Sequence, residues 1–274
     1  MNITPLAGAL GAEITGVELL HATPAQRARI DAAFLRYLVL FFPEQTLSAN
    51  ELSRVGSQFG ALDIYPFIEG LAHAPHVVSI IKEPDEQKNF GAGWHSDTTY
   101  CACPPKATVL YALEVPTVGG DTLFANMYAA HASLSAGMRA MLKPLRALSS
   151  TAVRSGGGRA GGNHYQSVQL KHVPAPLTAT HPVVRRHPET AREALYVNRL
   201  HTERFEHMTS AESSGLLAFL YAHATRPEFT CRYRWQPKTL AVWDNRCTQH
   251  YALNDYHGQR RAMWRLSVSG DAPA

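Results

Sequence analysis

Strand-forming runs dominate this chain, and they are not separated by the regular helices that a parallel sheet requires. Tyr37 to Phe42, His76 to Glu83, Thr108 to Val115, Thr122 to Phe124, Ala194 to Asn198, Phe229 to Trp235, Thr239 to Trp243 and Met263 to Ser269 are short and rich in β-branched or aromatic residues, as strands packed on at least one face are. Ile3 to Val17 adds short strands joined by tight turns at Gly8, Gly11 and Gly16. Helix starts are few. Capping boxes stand at Thr23-Pro24-Ala25-Gln26, with proline at the first helical position, at Ser48-Ala49-Asn50-Glu51 and at Thr209-Ser210-Ala211-Glu212. They predict helices running to about Tyr37, Gly60 and Thr225. Strands and helices do not alternate as βαβ units, so the pattern predicts an antiparallel double-sheet or barrel core with helices outside.

At 274 residues the chain is long enough for one substantial core, and a single domain spanning 1–274 is expected. Hydrophobic residues at 45% and charged residues at 18% leave no disordered majority. The formal charge of +4 is spread without a basic tract or interleaved aromatic ladder, which argues against a nucleic-acid partner and is compatible with a small anionic substrate. No segment approaches the length of apolar run that spans a bilayer, and the N-terminus lacks a basic and then apolar leader; the expectation is a cytoplasmic protein with no membrane partner. Cys101, Cys103, Cys231 and Cys247 include no paired Cys-x-x-Cys set, so free thiols are expected. Residues 149–179, with Gly156-Gly157-Gly158, Gly161-Gly162, Pro174 and Pro176, read as a lid or binding loop, or equally as a plain surface loop.

Chemistry concentrates in two places. In Gly93-Trp94-His95-Ser96-Asp97-Thr98-Thr99-Tyr100 an extended backbone would point His95 and Asp97 to one side. With a second imidazole from elsewhere they would form a two-histidine, one-carboxylate triad that leaves positions open on iron(II). With 14 histidines in the chain, one His-x-Asp alone does not decide the matter. The second place is Trp243-Asp244-Asn245-Arg246-Cys247-Thr248-Gln249-His250-Tyr251, followed by Arg260-Arg261-Ala262-Met263-Trp264-Arg265. It supplies a distant histidine, and Arg261 and Arg265 share one face of a regular strand. Each arginine suits a carboxylate or sulfonate, and each equally suits a surface ion pair. Trp94 reads as pocket lining or as core, and Tyr251 carries no assigned role.

Taken in order, Trp94-His95-Ser96-Asp97, Gly119-Gly120-Asp121-Thr122, the Trp243 to Tyr251 segment and Arg260-Arg261-x-Met263-x-Arg265 resemble the taurine dioxygenase and chlorophenoxyacetate dioxygenase family. The resemblance runs from about Gly8 to Asp271. It implies a double-stranded β-helix, a jelly-roll core with flanking helices, and an enzyme that uses Fe(II), 2-oxoglutarate and O2 to hydroxylate a small organic anion, releasing succinate and CO2. His95, Asp97 and His250 match the metal ligands. Thr122 and Arg261 match the pair holding the far carboxylate of 2-oxoglutarate. Arg265 matches the arginine that binds the substrate's sulfonate, and Thr98 the position whose backbone N–H assists it. A homo-oligomer, dimer or tetramer, is implied as well. Related halogenases have a small residue in place of the carboxylate, so Asp97 favours hydroxylation.

Two positions depart from the taurine enzyme. Gly91 stands where it has a substrate-contacting asparagine, and Tyr65 where it has a histidine. Loss of these polar partners argues against taurine and for a larger anion that Arg265 still anchors: an alkyl or aryl sulfonate, a sulfate ester or an aryloxy carboxylate. Gly91 also reads simply as a backbone position needing positive φ. An amino-acid or natural-product carboxylate as substrate, a non-catalytic jelly-roll binding protein and a zinc hydrolase are the competing readings. The last two have no need for Thr122 and Arg261 beside an intact triad.

Overall fold

The three capping boxes begin helices at the expected residues. In the computed structural model, which describes residues 1–153 and 176–274, the N-cap side chains of Thr23, Ser48 and Thr209 each accept from the N3 backbone, and Gln26, Glu51 and Glu212 reach back to the cap N–H. Each box satisfies donors that the first helical turn otherwise leaves unpaired. In chain order the elements begin β1 (Asn2–Pro5), β2 (Ala12–Thr15), α1 (Pro24–Tyr37), β3 (Val39–Phe42), α2 (Ala49–Ser57), β4 (Leu62–Asp63), β5 (Gly70–Leu71) and β6 (Ala74–Lys82). Then come β7 (Ala107–Glu114), β8 (Thr122–Asn126), α3 (Met127–Ala132), α4 (Ala136–Leu142), β9 (Arg146–Ser150), β10 (Thr178–Pro182), β11 (Val184–Arg186) and β12 (Glu193–Leu195). The chain closes with β13 (Thr202–Phe205), α5 (Ser210–Ala224), β14 (Thr230–Tyr233), β15 (Leu240–Asp244), β16 (Thr248–Ala252) and β17 (Arg261–Val268).

A nine-stranded sheet runs β1-β2-β3-β15-β7-β17-β6-β5, with β4 joined to β17, and a three-stranded sheet runs β14-β8-β16. Every pairing in them is antiparallel except β2 with β3. Strand alternation divides the core. Val39 and Phe41, Ala241 and Trp243, Leu110 and Ala112, and Met263 turn toward the small sheet, where they meet Phe124, Cys231 and Tyr233. Their neighbours Leu40, Phe42, Leu240, Val242, Val109, Tyr111 and Leu266 turn the other way onto Ile30, Phe34, Leu52 and Val55 of α1 and α2. Phe41 bridges the two sheets, stacked on Tyr233 at 3.7 Å and edge-on to Phe124 at 5.6 Å. Such ring pairs contribute about 0.5–1.5 kcal/mol beyond their buried area. The jelly-roll expectation is met: two sheets face each other, helices cover one outer face, and the inner faces are left to carry a site.

Several local expectations need correction. Tyr37 ends α1 rather than starting a strand; Leu38 follows in the left-handed region at φ 66 and turns the chain into β3. The strand expected over Ala194 to Asn198 is only Glu193–Leu195. Helices α3 and α4 were not anticipated because Asn126 and Ser135 cap them without a glutamate or glutamine three residues on. At the edges of the expected loop, Ser149 and Ser150 belong to β9 and pair with Ala179 and Thr178 of β10. Its interior, 154–175, lies outside the described residues. The four cysteines are free thiols, and among the described residues no helix is long and apolar enough to cross a membrane.

Candidate active site

The backbone ties His95 to His250. Each donates its N–H to the other's carbonyl, at 3.1 and 2.8 Å, in an isolated antiparallel bridge beside β16, and Ser96 Oγ donates to the Thr248 carbonyl at 2.7 Å. The two imidazole centroids lie 4.2 Å apart. The segment is a bridge followed by a turn, not the extended run the sequence suggested; Thr98 sits at φ 43. The turn nevertheless brings Asp97 round, with Oδ1 3.8 Å from His95 Nε2. Ligand atoms of His95, Asp97 and His250 all fall within 4.8 Å of one another.

The protonation states suit a divalent metal. His95 Nδ1 lies 2.8 Å from the Gly93 carbonyl, which holds the proton on Nδ1 and leaves the Nε2 lone pair toward Asp97. Burial, with His95 adding to it, pushes the His250 imidazole down to about 3 against the pull of Asp97, so the ring is neutral. Burial opposes ionisation of Asp97, yet the Arg265 guanidinium foremost, with the Thr108 hydroxyl, holds the carboxyl far below its ordinary range. Two imidazoles and one carboxylate are the donor set of a non-haem iron(II) site with open positions.

Two arginines enter the same cavity from β17. Arg261 and Arg265 line it together with His95, Asp97, His250, Thr122 and Gly91, and both are buried. Among the described residues, Nε and Nη2 of Arg261, and Nη1 and Nη2 of Arg265, have no hydrogen-bond acceptor. Arg265 Nη2 stands 3.1 Å from Asp97 Oδ1 as an ion pair without hydrogen-bond geometry. Thr122 Oγ1 accepts from Trp235 Nε1 at 2.9 Å, and because indole only donates, the threonine proton remains to be given to something else. Trp235 also lies under Arg261, 5.8 Å from its guanidinium. Tyr65 packs under Arg265 at 4.5 Å. Neither Tyr65 nor Thr98 is among the residues lining this cavity, although both are buried nearby.

A second cluster, His187, Asp244 and Cys247, is equally buried, but its carboxylate is already in use. Asp244 accepts from Arg246 N and Nε through Oδ1, and from Arg246 Nη2 and His187 Nε2 through Oδ2, at 2.6 to 3.0 Å. Burial pushes the Cys247 thiol well above its ordinary value. These groups brace the end of β15.

Residues 2–267 match the family described as "Taurine catabolism dioxygenase TauD, TfdA family". The chain belongs to this family. It is accordingly an iron(II)- and 2-oxoglutarate-dependent dioxygenase of jelly-roll fold. Among TauD/TfdA relatives, the alpha-ketoglutarate-dependent sulfate ester dioxygenase of Pseudomonas putida is 33% identical over 292 residues, covering 100% of this chain and 91% of that protein. The (S)-phenoxypropionate/alpha-ketoglutarate-dioxygenase of Sphingobium herbicidovorans is 31% identical over 277 residues, covering 98% and 95%. A crystal structure of a taurine dioxygenase from Burkholderia xenovorans superposes with a TM-score of 0.83 at 34% identity, covering 100% of this chain and 92% of that one.

Sequence reasoning missed the support around Asp97. Thr108, Asn245 and Trp243 form a hydrogen-bonded chain ending on its carboxylate. Asn245 and Trp243 stand in a motif read for its histidine, whereas Thr108 was one residue in a strand. Only the register that sets Thr108 opposite Trp243 reveals the connection.

Proposed function

We propose that His95, Asp97 and His250 hold the iron(II), that Thr122 and Arg261 hold the far carboxylate of 2-oxoglutarate, and that Arg265 anchors the anionic end of a primary substrate larger than taurine. The observation carrying this reading is the pair of buried guanidiniums on one strand face, each with N–H groups lacking acceptors among the described residues, in the cavity the three ligand side chains share. A buried cation without a partner is costly. Among the described residues Arg261 has no ion pair and calls for an anion of its own, while Arg265, paired at 3.1 Å with Asp97, still has N–H groups to offer a second.

The bound metal, with 2-oxoglutarate and O2, supplies the oxidation: one oxygen atom goes into a substrate C–H bond and the other into succinate as CO2 leaves. The chain's residues position and enclose. Thr122 donates its free hydroxyl proton and Arg261 its fork to the co-substrate carboxylate, fixing that end against Trp235. Arg265, steadied by the Tyr65 ring, fixes the substrate by its charge. Thr98, at its left-handed turn, is the backbone position assisting that anion. Ile80, Phe90 and Leu110 line the rest of the cavity, and Phe90 and Phe67 each pack edge-on against Tyr65 at 6.4 and 5.9 Å. They give the carbon part of the substrate an apolar, water-poor surface.

Gly91 supports the larger substrate. A Cβ added there would come 3.5 Å from His95 Cε1, so the glycine leaves open the space over the imidazole. A sulfate ester, alkyl or aryl sulfonate, or aryloxy carboxylate fits, hydroxylated at the carbon beside the heteroatom so that the product collapses to a carbonyl compound and the released anion or phenol. The sulfate ester and phenoxypropionate relatives are named for such substrates. One domain is proposed because both core clusters share the nine-stranded sheet. Cytoplasmic action as a dimer or tetramer rests on the family resemblance.

The test has two arms. Iron(II) and 2-oxoglutarate without oxygen should give a weak visible charge-transfer band that His95→Ala and Asp97→Ala abolish. Substrate-dependent succinate should be greater with a bulky sulfate ester, sulfonate or aryloxy carboxylate than with taurine. A band surviving both changes refutes the metal site, and taurine giving the highest turnover with stoichiometric sulfite refutes the pocket reading.

A further inference from the structure

Asp97 is approached by a chain of hydrogen bonds whose direction is set at its far end. Trp243 Nε1 donates to Asn245 Oδ1 at 3.0 Å. Indole can only donate, so this amide is oriented with its oxygen toward Trp243, where it also receives the Asp97 backbone N–H at 3.4 Å. Its nitrogen therefore points the other way and donates to Thr108 Oγ1 at 2.9 Å. With that lone pair taken, the single proton of Thr108 goes to Asp97 Oδ2, at 2.6 Å. Thr108 and Asn245 are buried, so no bulk water competes.

We infer that Thr108 is a positioning residue that reserves Asp97 Oδ2 and leaves Oδ1 as the oxygen offered to the metal. This rests on the proposed ligand set. Oδ1 is the oxygen facing His95 Nε2 at 3.8 Å and Arg265 Nη2 at 3.1 Å. A carboxylate tied through one oxygen binds through the other alone, and a single-oxygen ligand leaves a position open that a chelating carboxylate would fill. The same indole serves both ligands: Trp243 packs on His250 with centroids 4.7 Å apart while its N–H orients Asn245. Outer partners of this kind typically govern metal affinity by about ten- to a hundredfold.

The experiment measures anaerobic binding of manganese(II) and iron(II), the charge-transfer band with 2-oxoglutarate, and metal-free thermal stability in Thr108→Val, Thr108→Ser and Asp97→Ala. Thr108→Val keeps the shape and removes the proton; it should lose about ten- to a hundredfold in metal affinity and shift the band. Thr108→Ser should restore both. A valine variant with unaltered affinity and band, or a serine variant as impaired as valine, overturns the inference. If Thr108→Val does not fold, Trp243→Phe, which frees the amide to turn, takes its place and should weaken metal binding in the same direction; unchanged affinity there overturns it equally. Asp97→Ala separates the two readings. If it leaves metal binding intact, the ligand set fails; if it abolishes binding while the Thr108 and Trp243 variants behave as wild type, only the role of Thr108 fails.

Discussion

Replacing Arg261 with methionine should make the metal-free protein more stable and its binding of 2-oxoglutarate weaker. Arg261 is buried, its Nε and Nη2 have no acceptor among the described residues, and burial pushes its guanidinium below the ordinary value despite the nearby Tyr256 and Asp121. Exchanging buried charged groups for apolar groups of similar volume is often neutral or stabilising by about 1–4 kcal/mol. In a chain of this size each kcal/mol moves the melting temperature by about 2–4 °C. The co-substrate reverses the balance. A charge-assisted hydrogen bond to a carboxylate contributes about 1.5–3 kcal/mol, so Kd should rise roughly ten- to a hundredfold. At a concentration a hundred times the wild-type Kd, 2-oxoglutarate stabilises the wild type by about 2.7 kcal/mol, whereas a variant weakened a hundredfold gains only about 0.4 kcal/mol.

Thermal melts of the manganese-loaded protein across a 2-oxoglutarate series measure both effects at once. The variant is expected to melt higher without co-substrate and to show a co-substrate shift smaller than the wild type's by up to about 2.3 kcal/mol. If Arg261→Met melts lower throughout and keeps the full co-substrate shift, the guanidinium is a structural cation satisfied within the protein, and the argument from its unpaired N–H groups is wrong.

Arg265→Ala should raise the concentration of primary substrate needed for half-maximal succinate formation far more than that of 2-oxoglutarate, the reverse of Arg261→Ala; equal effects on both ligands would dissolve the division of roles. The Asp244 cluster makes a pH-dependent contribution to stability. Burial opposes its ionisation, but Arg246 and His187 bring the carboxyl down to about 2, below an unfolded value of about 4. The contribution is therefore complete above pH of about 4 and is lost as pH falls through 2, about 3 kcal/mol in all; Asp244→Asn should flatten the acid limb of the stability curve in that window, and an unchanged limb would refute it.

Much of the scaffold is legible in the chain because its signals are local. A capping box needs four adjacent residues, and all three stand where the helices begin. A strand buried on both faces reads as a continuous apolar run, as Val39–Phe42 does. Ala194 to Asn198 reads the same way, yet its last residues leave the ladder: Tyr196 N donates to the Val183 carbonyl, and Asn198 accepts a turn bond from Thr202. The structure brings His95, Asp97, His250, Thr122, Arg261, Arg265 and Gly91 to one cavity, without Tyr65 and Thr98, and by a route the sequence did not suggest. His95 and Asp97 were placed side by side by strand alternation, whereas the structure unites them through a bridge to His250 and a left-handed turn at Thr98. Strand alternation does hold for Arg261 and Arg265 on β17, despite a bulge against β7 between Ala262 and Met263. What no local pattern carries is the support: Trp235 against Thr122, Tyr65 beneath Arg265 and Thr108 against Asp97 each depend on register between distant strands.

Gly91 shows how a backbone requirement and a change in recognition can coincide at one position. Its φ of +79 lies in the left-handed region, which glycine enters freely and asparagine enters more readily than most other residues. The asparagine that the family resemblance places here in the taurine enzyme is compatible with the same turn. Exchanging it for glycine keeps the backbone that delivers Trp94 and His95 while removing the amide from the cavity wall, where Gly91 lies beside Phe90, Ile80 and the ligand imidazoles. The conformational reading and the pocket reading are thus not alternatives. A site that discriminates through hydrogen bonds rejects ligands that leave those groups unpaired, while an apolar wall gains only about 1–3 kcal/mol per methylene filled. On the proposed reading, losing the amide would trade sharp recognition of one small zwitterion for tolerance of apolar bulk, with the charge of Arg265 left to orient whatever organic anion fills the space.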